Sequence, residues 1–428
     1  MSTKFKQQAE KTTIKILNIY SPRIDNQNEL VQDYNDDFEV DNYLHFPIIL
    51  NANNSQWEQA NRYLLYRLKN TQGINPQTLD SIAKDLRDFK RFCDNEDVDY
   101  LVASRKILRP NWLYRKYLID QLNLQILSPN TLKRKLNSVT GFYQWLIDYE
   151  KVKFKFKLWN SHETFISYKD EYGFSQNKTV SKKDITTIPN ASNHTLDDVV
   201  IIDGGKLSPL GQLEQIQLFK ALRNIHNNEM ELLFLIALTT GARIQTACTL
   251  RLYQFGKIPT EQENEIRIKI GFGTSCDTKY SRQNSLFIPK WLYKKIQIYI
   301  NSPRAKSRYK KSKHIFNNED SQYVFLSNRG TPFYIAKNDP YRKLYLKPYN
   351  GDAIRKFISS TLKNELKKLD NTINFSFHDL RATFGMNFID FNSVDNKSNS
   401  LSKQLIKLKE RMGHSKLETT EQYLNFRF

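Results

Sequence analysis

Six side chains in the second half of the chain could do chemistry together: Arg243, Lys279, His378, Arg381, His414 and Tyr423. They occur in four short stretches. Thr239-Thr240-Gly241-Ala242-Arg243-Ile244 places an arginine after a glycine break, where a buried helix gives way to a new one. Thr278-Lys279-Tyr280-Ser281-Arg282 falls between two predicted strands. His378-Asp379-Leu380-Arg381 opens a helix and sets His and Arg, three apart, on one face. Gly413-His414-Ser415 precedes Tyr423, which follows the histidine by nine residues. Taken singly, each has a plain structural explanation: a helix-terminal arginine, a hydrogen-bonded core histidine, an aromatic on a terminal helix. Taken together, two arginines, two histidines and a lysine around a tyrosine suit the breaking of a phosphodiester. A planar guanidinium binds two non-bridging oxygens at once and offsets the charge of a pentacoordinate transition state. A phenol becomes a competent nucleophile once its proton is shared with a neighbour. A lysine or histidine beside the leaving oxygen supplies the proton it departs with.

These groups need a framework, and 428 residues leave room for two or three domains. Residues 1–74 read as an acidic, Asn-rich extension that ends in a helix over 55–68, with Trp57, Ala60, Leu64, Leu65 and Leu68 on one face. Residues 75–160 read as a small helical domain. One stripe there runs Ile82, Leu86, Phe89, Phe92, and a second runs Leu132, Leu136, Val139, Tyr143, Leu146 behind Ser128 as N-cap and Pro129 in the first turn. Periodicity fades over 161–205, which reads as a linker ending in Asp203-Gly204-Gly205. From 206 to 428 the pattern predicts helices at about 210–224 and 228–239, the second apolar nearly all round. Two strands follow at 266–270 and 286–289, then mainly helix, with a polar loop at 392–400. The fold class is therefore mainly α with a small β-sheet in the second half.

Lys and Arg number 65 against 45 Asp and Glu, a net charge of +20, which points to a nucleic-acid partner. The excess is regional. Residues 290–313 hold nine Lys/Arg and no acid, interleaved with Trp291, Tyr293, Tyr299 and Tyr309, whereas 21–45 hold seven acids against Arg23 alone. Phosphate contacts are expected from Lys306, Arg308, Lys310 and Lys311, and from Lys133, Arg134 and Lys135 on the helical domain. The acidic stretch suits a partner-subunit or regulatory role. Cys93, Cys248 and Cys276 are odd in number and far apart, which argues against a disulfide framework or a zinc cluster and fits a reducing cytosol. The opening residues lack the apolar core of a signal peptide, and the longest apolar run, 232–238, is far too short to cross a bilayer. No Gly-x-x-x-x-Gly-Lys-Ser/Thr loop and no metal-ligand spacing occurs, so no cofactor and no metal is expected.

The second half resembles the tyrosine recombinase (phage integrase) family. The resemblance rests on Gly241-Ala242-Arg243-Ile244, the His378-x-x-Arg381 box, and Gly413-His414 with Thr419-Thr420-x-x-Tyr423. It covers about 206–428 and extends less specifically to 75–155, which look like that family's helical core-binding domain. It implies a core-binding and a catalytic domain that close as a clamp around double-stranded DNA, and a tetramer working on two duplexes in the bacterial cytosol, at the nucleoid. Accessory proteins and a mobile genetic element as host would fit it. On this resemblance Tyr423 attacks the scissile phosphate to give a 3′-phosphotyrosyl link, and Arg243 and Arg381 clamp the phosphate. His378 manages the phenol proton, His414 hydrogen-bonds the phosphate, and Lys279 protonates the leaving 5′ oxygen. A type IB topoisomerase-like or hairpin-forming strand transferase is the alternative, and an inactive DNA-binding relative a further one. The family often has an acid three residues after the first arginine. Here that position is Thr246, with Asp379 and Asp277 as possible substitutes. Only five residues follow Tyr423, so Leu424, Phe426 and Phe428 are the candidates for a short apolar plug.

Overall fold

Apolar side chains at helical spacing gather into two large cores, one in each of two units, Met1–Thr195 and Leu196–Phe428. The computed structural model describes residues 8–426 apart from 17–19, 25–29, 35–42, 71–73, 75, 103–104, 170–174, 189–199, 313–321, 340–341, 343–348, 370–372 and 396–400. No helix among the described residues is long and apolar enough to cross a membrane.

In the first unit β1 (Glu10–Ile16) pairs antiparallel with β4 (Tyr43–Leu50), and β2 (Tyr20–Ile24) pairs with β3 (Leu30–Tyr34). Helices α1 (Glu58–Asn70), α2 (Pro76–Asn95), α3 (Pro110–Asn123) and α4 (Pro129–Asp148) follow, then a hairpin of β5 (Ser161–Lys169) and β6 (Ser175–Lys183). Both predicted stripes face inward: Ile82, Leu86, Phe89 and Phe92 of α2 are buried with Leu132, Leu136, Val139, Tyr143 and Leu146 of α4. Ser128 caps α4 by accepting from the Thr131 amide at 3.3 Å. Two expectations change. Phe46, Ile48 and Ile49 of β4 and Trp57, Ala60 and Leu64 at α1 lie in the same core as α2–α4, so 43–70 complete this unit instead of forming a separate extension. The seven acids of 21–45 have side chains outside the described residues. Within the expected linker, moreover, 161–169 and 175–183 pair as the strands β5 and β6.

The basic residues of α4 are also partly spoken for. Arg134 embraces the buried carboxylate of Asp85 at 2.7 and 2.6 Å, and Lys135 pairs with Asp88 at 2.7 Å. Arg134 is thus a fold-holding cation as much as a surface one, and Lys133 stays exposed.

The second unit opens with a two-residue ribbon, β7 (Ile201–Ile202) against β8 (Lys206–Leu207). Then come α5 (Gln212–Ile225), α6 (Asn228–Thr240) and the short α7 (Ile244–Cys248). The predicted hairpin is β9 (Glu265–Ile270) against β10 (Asn284–Pro289), with Ile266, Ile268, Ile270, Leu286 and Ile288 turned inward. Helices α8 (Lys290–Asn301), α9 (Pro303–Ser312), α10 (Asp352–Phe357), α11 (Lys363–Lys368), α12 (Asp379–Asp395), α13 (Leu401–Met412) and α14 (Glu418–Asn425) complete it. Helix α6, apolar on every side, is the centre of the core and packs against α12, which positions the His-x-x-Arg box.

The basic stretch over α8 and α9 divides by burial. Arg308 is not a phosphate contact. Its guanidinium is buried, 3.0 Å from the fully buried Glu229, and also donates to the Leu326 carbonyl. Arg304 grips the same carboxylate at 2.8 and 2.7 Å. Tyr293 and Tyr299 are core residues and Tyr309 packs against the same core, so these three hold the fold, whereas Trp291 is exposed. Lys306, Lys310 and Lys311 remain exposed.

Candidate active site

Each site residue is fixed by a local necessity of the chain. Gly241 ends α6 in the left-handed conformation at φ 67°, and its amide caps the helix on the Ala237 carbonyl. A Cβ at Gly241 would collide with the Phe384 ring, so a side chain there is excluded twice over. The turn delivers Arg243 to the start of α7. Gly413, at φ 65°, ends α13 in the same way and packs against Asn284 of β10, which sets His414 at the rim of the hairpin. Arg381 lies on the first turn of α12 with its side chain 3% exposed. Tyr423 on α14 is fully buried among Ala382, Phe384, Leu408 and Met412, its ring so close to Gly385 that no side chain fits between them.

These residues converge on one carboxylate, that of Asp203, in the turn between β7 and β8. Oδ2 accepts from Arg381 Nε at 2.6 Å, His414 Nε2 at 3.0 Å and the Tyr423 hydroxyl at 3.4 Å, while Oδ1 accepts from Arg243 Nη2 at 3.0 Å. His378 Nε2 donates to the Asp203 carbonyl at 2.8 Å. Because a carboxylate only accepts, His414 carries its proton on Nε2, and Nδ1 accepts from the Thr420 hydroxyl at 2.9 Å. Thr420 therefore orients the histidine, a role its place in the Thr-Thr-x-x-Tyr run leaves invisible. Arg381 is held further by its donations to the Gly241 carbonyl at 2.6 Å and the Met412 carbonyl at 2.7 Å. Lys279 stands beside the same turn: a Cβ built on Gly204 would lie 3.1 Å from its Nζ and 3.6 Å from His378 Nε2. A cavity of about 830 Å³ is lined by Arg243, Lys279, Arg381 and His414, with Arg267, Lys269, Arg282 and Lys409 adding positive charge.

All six expected residues thus meet. The acid near the arginines is neither substitute weighed on sequence. Thr246 donates to the Asp277 backbone carbonyl at 2.9 Å. Asp379 instead accepts from the Ser208 and Ser376 amides at 2.9 and 2.7 Å, tying the segment after the ribbon to the start of α12. Asp203 was legible only as a turn residue in the supposed linker. Leu424 and Phe426 are partly buried against the cluster around Tyr423 in their own chain, and Phe428 lies outside the described residues.

Burial alone would raise the Asp203 carboxyl, but the His414 bond and the charges of Arg381 and Arg243 hold it far below its ordinary 3.8. Burial and the charge of Asp203 push the Tyr423 phenol well above its usual value, with Arg381 and Arg243 pulling the other way. Burial lowers both His378 and His414, so both are neutral near pH 7. A depressed carboxyl contributes stability that is complete above its unfolded value and is lost as pH falls below it. Wild-type protein should therefore lose melting temperature relative to Asp203→Asn as the pH drops below about 4, with the difference between them constant above about pH 5. A pH-independent difference throughout would mean that folding leaves the Asp203 carboxyl unshifted, and a difference that grew in the opposite sense as pH rises would mean that it is held neutral in the fold.

No protein-family model matches the sequence, and no curated protein matches it. Among solved structures the chain is similar to XerH site-specific recombinase bound to a palindromic difH substrate, at 13% identity and TM-score 0.46, covering 86% of this chain and 85% of that one. It is similar to a fragment of the Tn1549 transposon integrase in complex with circular intermediate DNA, at 15% identity and TM-score 0.46, covering 85% and 94%. It is also similar to a lambda integrase dimer bound to a COC′ core site, at 12% identity and TM-score 0.43, covering 86% and 95%.

Proposed function

We propose that this chain is a tyrosine recombinase, a site-specific enzyme that cuts and rejoins double-stranded DNA through a 3′-phosphotyrosyl intermediate. The observation that supports this reading is the convergence of Arg243, Arg381, His414 and Tyr423 on one oxyanion, at 2.6 to 3.4 Å, with Lys279 alongside. A phosphodiester at that focus receives the two guanidinium groups and the His414 N–H on its non-bridging oxygens. The Tyr423 oxygen attacks phosphorus as His378 helps take up the phenol proton. The bond to the 5′ oxygen breaks, and that oxygen leaves with a proton from Lys279. The new ester conserves the energy of the broken bond, so a 5′ hydroxyl from another strand reverses the step and completes exchange. Four protomers on two duplexes would carry this out at the nucleoid of a bacterial cell.

The test is to incubate the protein with a nicked candidate attachment-site duplex and look for an SDS-resistant, protease-sensitive adduct. The labelled peptide should contain Tyr423, and an adduct at any other residue would overturn the assignment. The exposed Lys306, Lys310 and Lys311 are the expected phosphate contacts of the second unit. Replacing all three by glutamine should weaken binding to every DNA sequence alike and reduce the slope of log K against log salt by about 2.7, roughly 0.9 per contact. An unchanged slope in titrations from low to moderate salt would remove these lysines from the interface.

A further inference from the structure

We propose that the Asp203-Gly204-Gly205 turn is an internal occupant of the phosphate site, a carboxylate that fills the pocket at rest and must swing out before a phosphodiester binds. The proposal rests on reading the site as a strand-transfer centre and adds how that centre is kept closed. Geometry carries it. Arg381 gives one N–H of each Nη to the Gly241 and Met412 carbonyls, and its Nε goes to Asp203 at 2.6 Å. The carboxylate also holds Arg243, His414 and the Tyr423 hydroxyl. A phosphodiester needs these same donors, and a second anion cannot share them with a carboxylate already seated there. A resident carboxylate is the wrong charge beside an attacking phenol as well, since it opposes formation of the phenolate.

The turn is built to move while its flanks stay. Ile201 and Leu207 are buried in the cluster around Tyr423, the Ile202 amide donates to the Gln422 side chain at 2.7 Å, and the Ser208 amide is bound to Asp379. Between these anchors lie two glycines, the first at φ +76°, where torsional freedom is greatest. Because the turn is mostly closed, the apparent affinity for any small anion is reduced to the intrinsic affinity multiplied by the fraction of time the turn is withdrawn. A duplex that also docks its flanking phosphates offsets that penalty, whereas a free phosphate does not. The site then opens only on fully engaged DNA.

The experiment compares wild type with Asp203→Asn, which removes the charge but keeps the turn, and with Gly204→Pro, which keeps Asp203 and all six site residues but forbids the positive φ. Inorganic phosphate binding is followed by titration calorimetry on protein shown to be folded by its melting curve. Both variants should reach half-saturation at a phosphate concentration at least tenfold lower than wild type and should form the nicked-duplex adduct faster. Phosphate binding no tighter than wild type in a folded variant would overturn the proposal. So would slower adduct formation by Asp203→Asn with DNA binding unchanged, which would make Asp203 a positioning acid for the reaction. If no protein forms the adduct, the strand-transfer reading fails, and phosphate binding still decides whether Asp203 blocks the pocket.

Discussion

Replacing Tyr423 by phenylalanine is expected to abolish covalent capture of DNA, by on the order of 10⁴-fold or more, while the duplex stays bound. The two effects separate because of how the residue is held. Its ring is fully buried against Ala382, Leu408 and Met412, and phenylalanine fills the same volume. Among the described residues the hydrogen bond given up is the long one to Asp203, at 3.4 Å, so folding stability should change by less than about 1 kcal/mol. Gel-shift titration should therefore show wild-type affinity, and a denaturing gel of the nicked-duplex reaction should show no adduct. An adduct that survives the substitution would place the nucleophile elsewhere in the chain.

Arg381→Ala should be a strongly damaging change to the second unit as a fold. The guanidinium is almost wholly enclosed and joins three pieces of chain: the Asp203 turn, the end of α6 at Gly241 and the end of α13 at Met412. Removing it leaves two carbonyls without their donor in a closed space and takes from the Asp203 carboxylate one of its two guanidinium partners, a loss of about 3 kcal/mol. Melting temperature should fall by several degrees, and capture should vanish with it. Arg381→Lys distinguishes the two roles. The ammonium keeps the charge but not the planar fork, so at best one of the three bonds is rebuilt well. That variant should recover part of the melting temperature and almost none of the capture. Wild-type capture by Arg381→Lys would show that the fork is not needed at the phosphate.

The sequence was informative wherever chemistry and local geometry coincide. Gly241 and Gly413 end helices at positive φ and hand over Arg243 and His414, and both breaks are visible as glycines between helical patterns. The stripes of α2 and α4 were readable because burial repeats at the helical period. Long-range pairing was not. Nothing around position 203 tells that its carboxylate meets an arginine 178 residues further on, because that contact is made by the tertiary fold alone. Arg308 misled for a related reason: a run of cations looks like surface until one member finds a buried partner, here Glu229 on α6, far away in sequence. Strand β4 is hidden in an acidic, Asn-rich background, although its Phe46 and Ile49 complete the first core.

The bond from the Ile202 amide to Gln422 has a consequence for timing. Gln422 is the immediate neighbour of Tyr423, and Ile201 and Leu207 share that tyrosine's apolar surroundings. Any displacement of the last helix therefore tugs on the strand leading to Asp203. On the proposed reading, readying Tyr423 and withdrawing Asp203 become a single mechanical event, so neither half of that step runs ahead of the other.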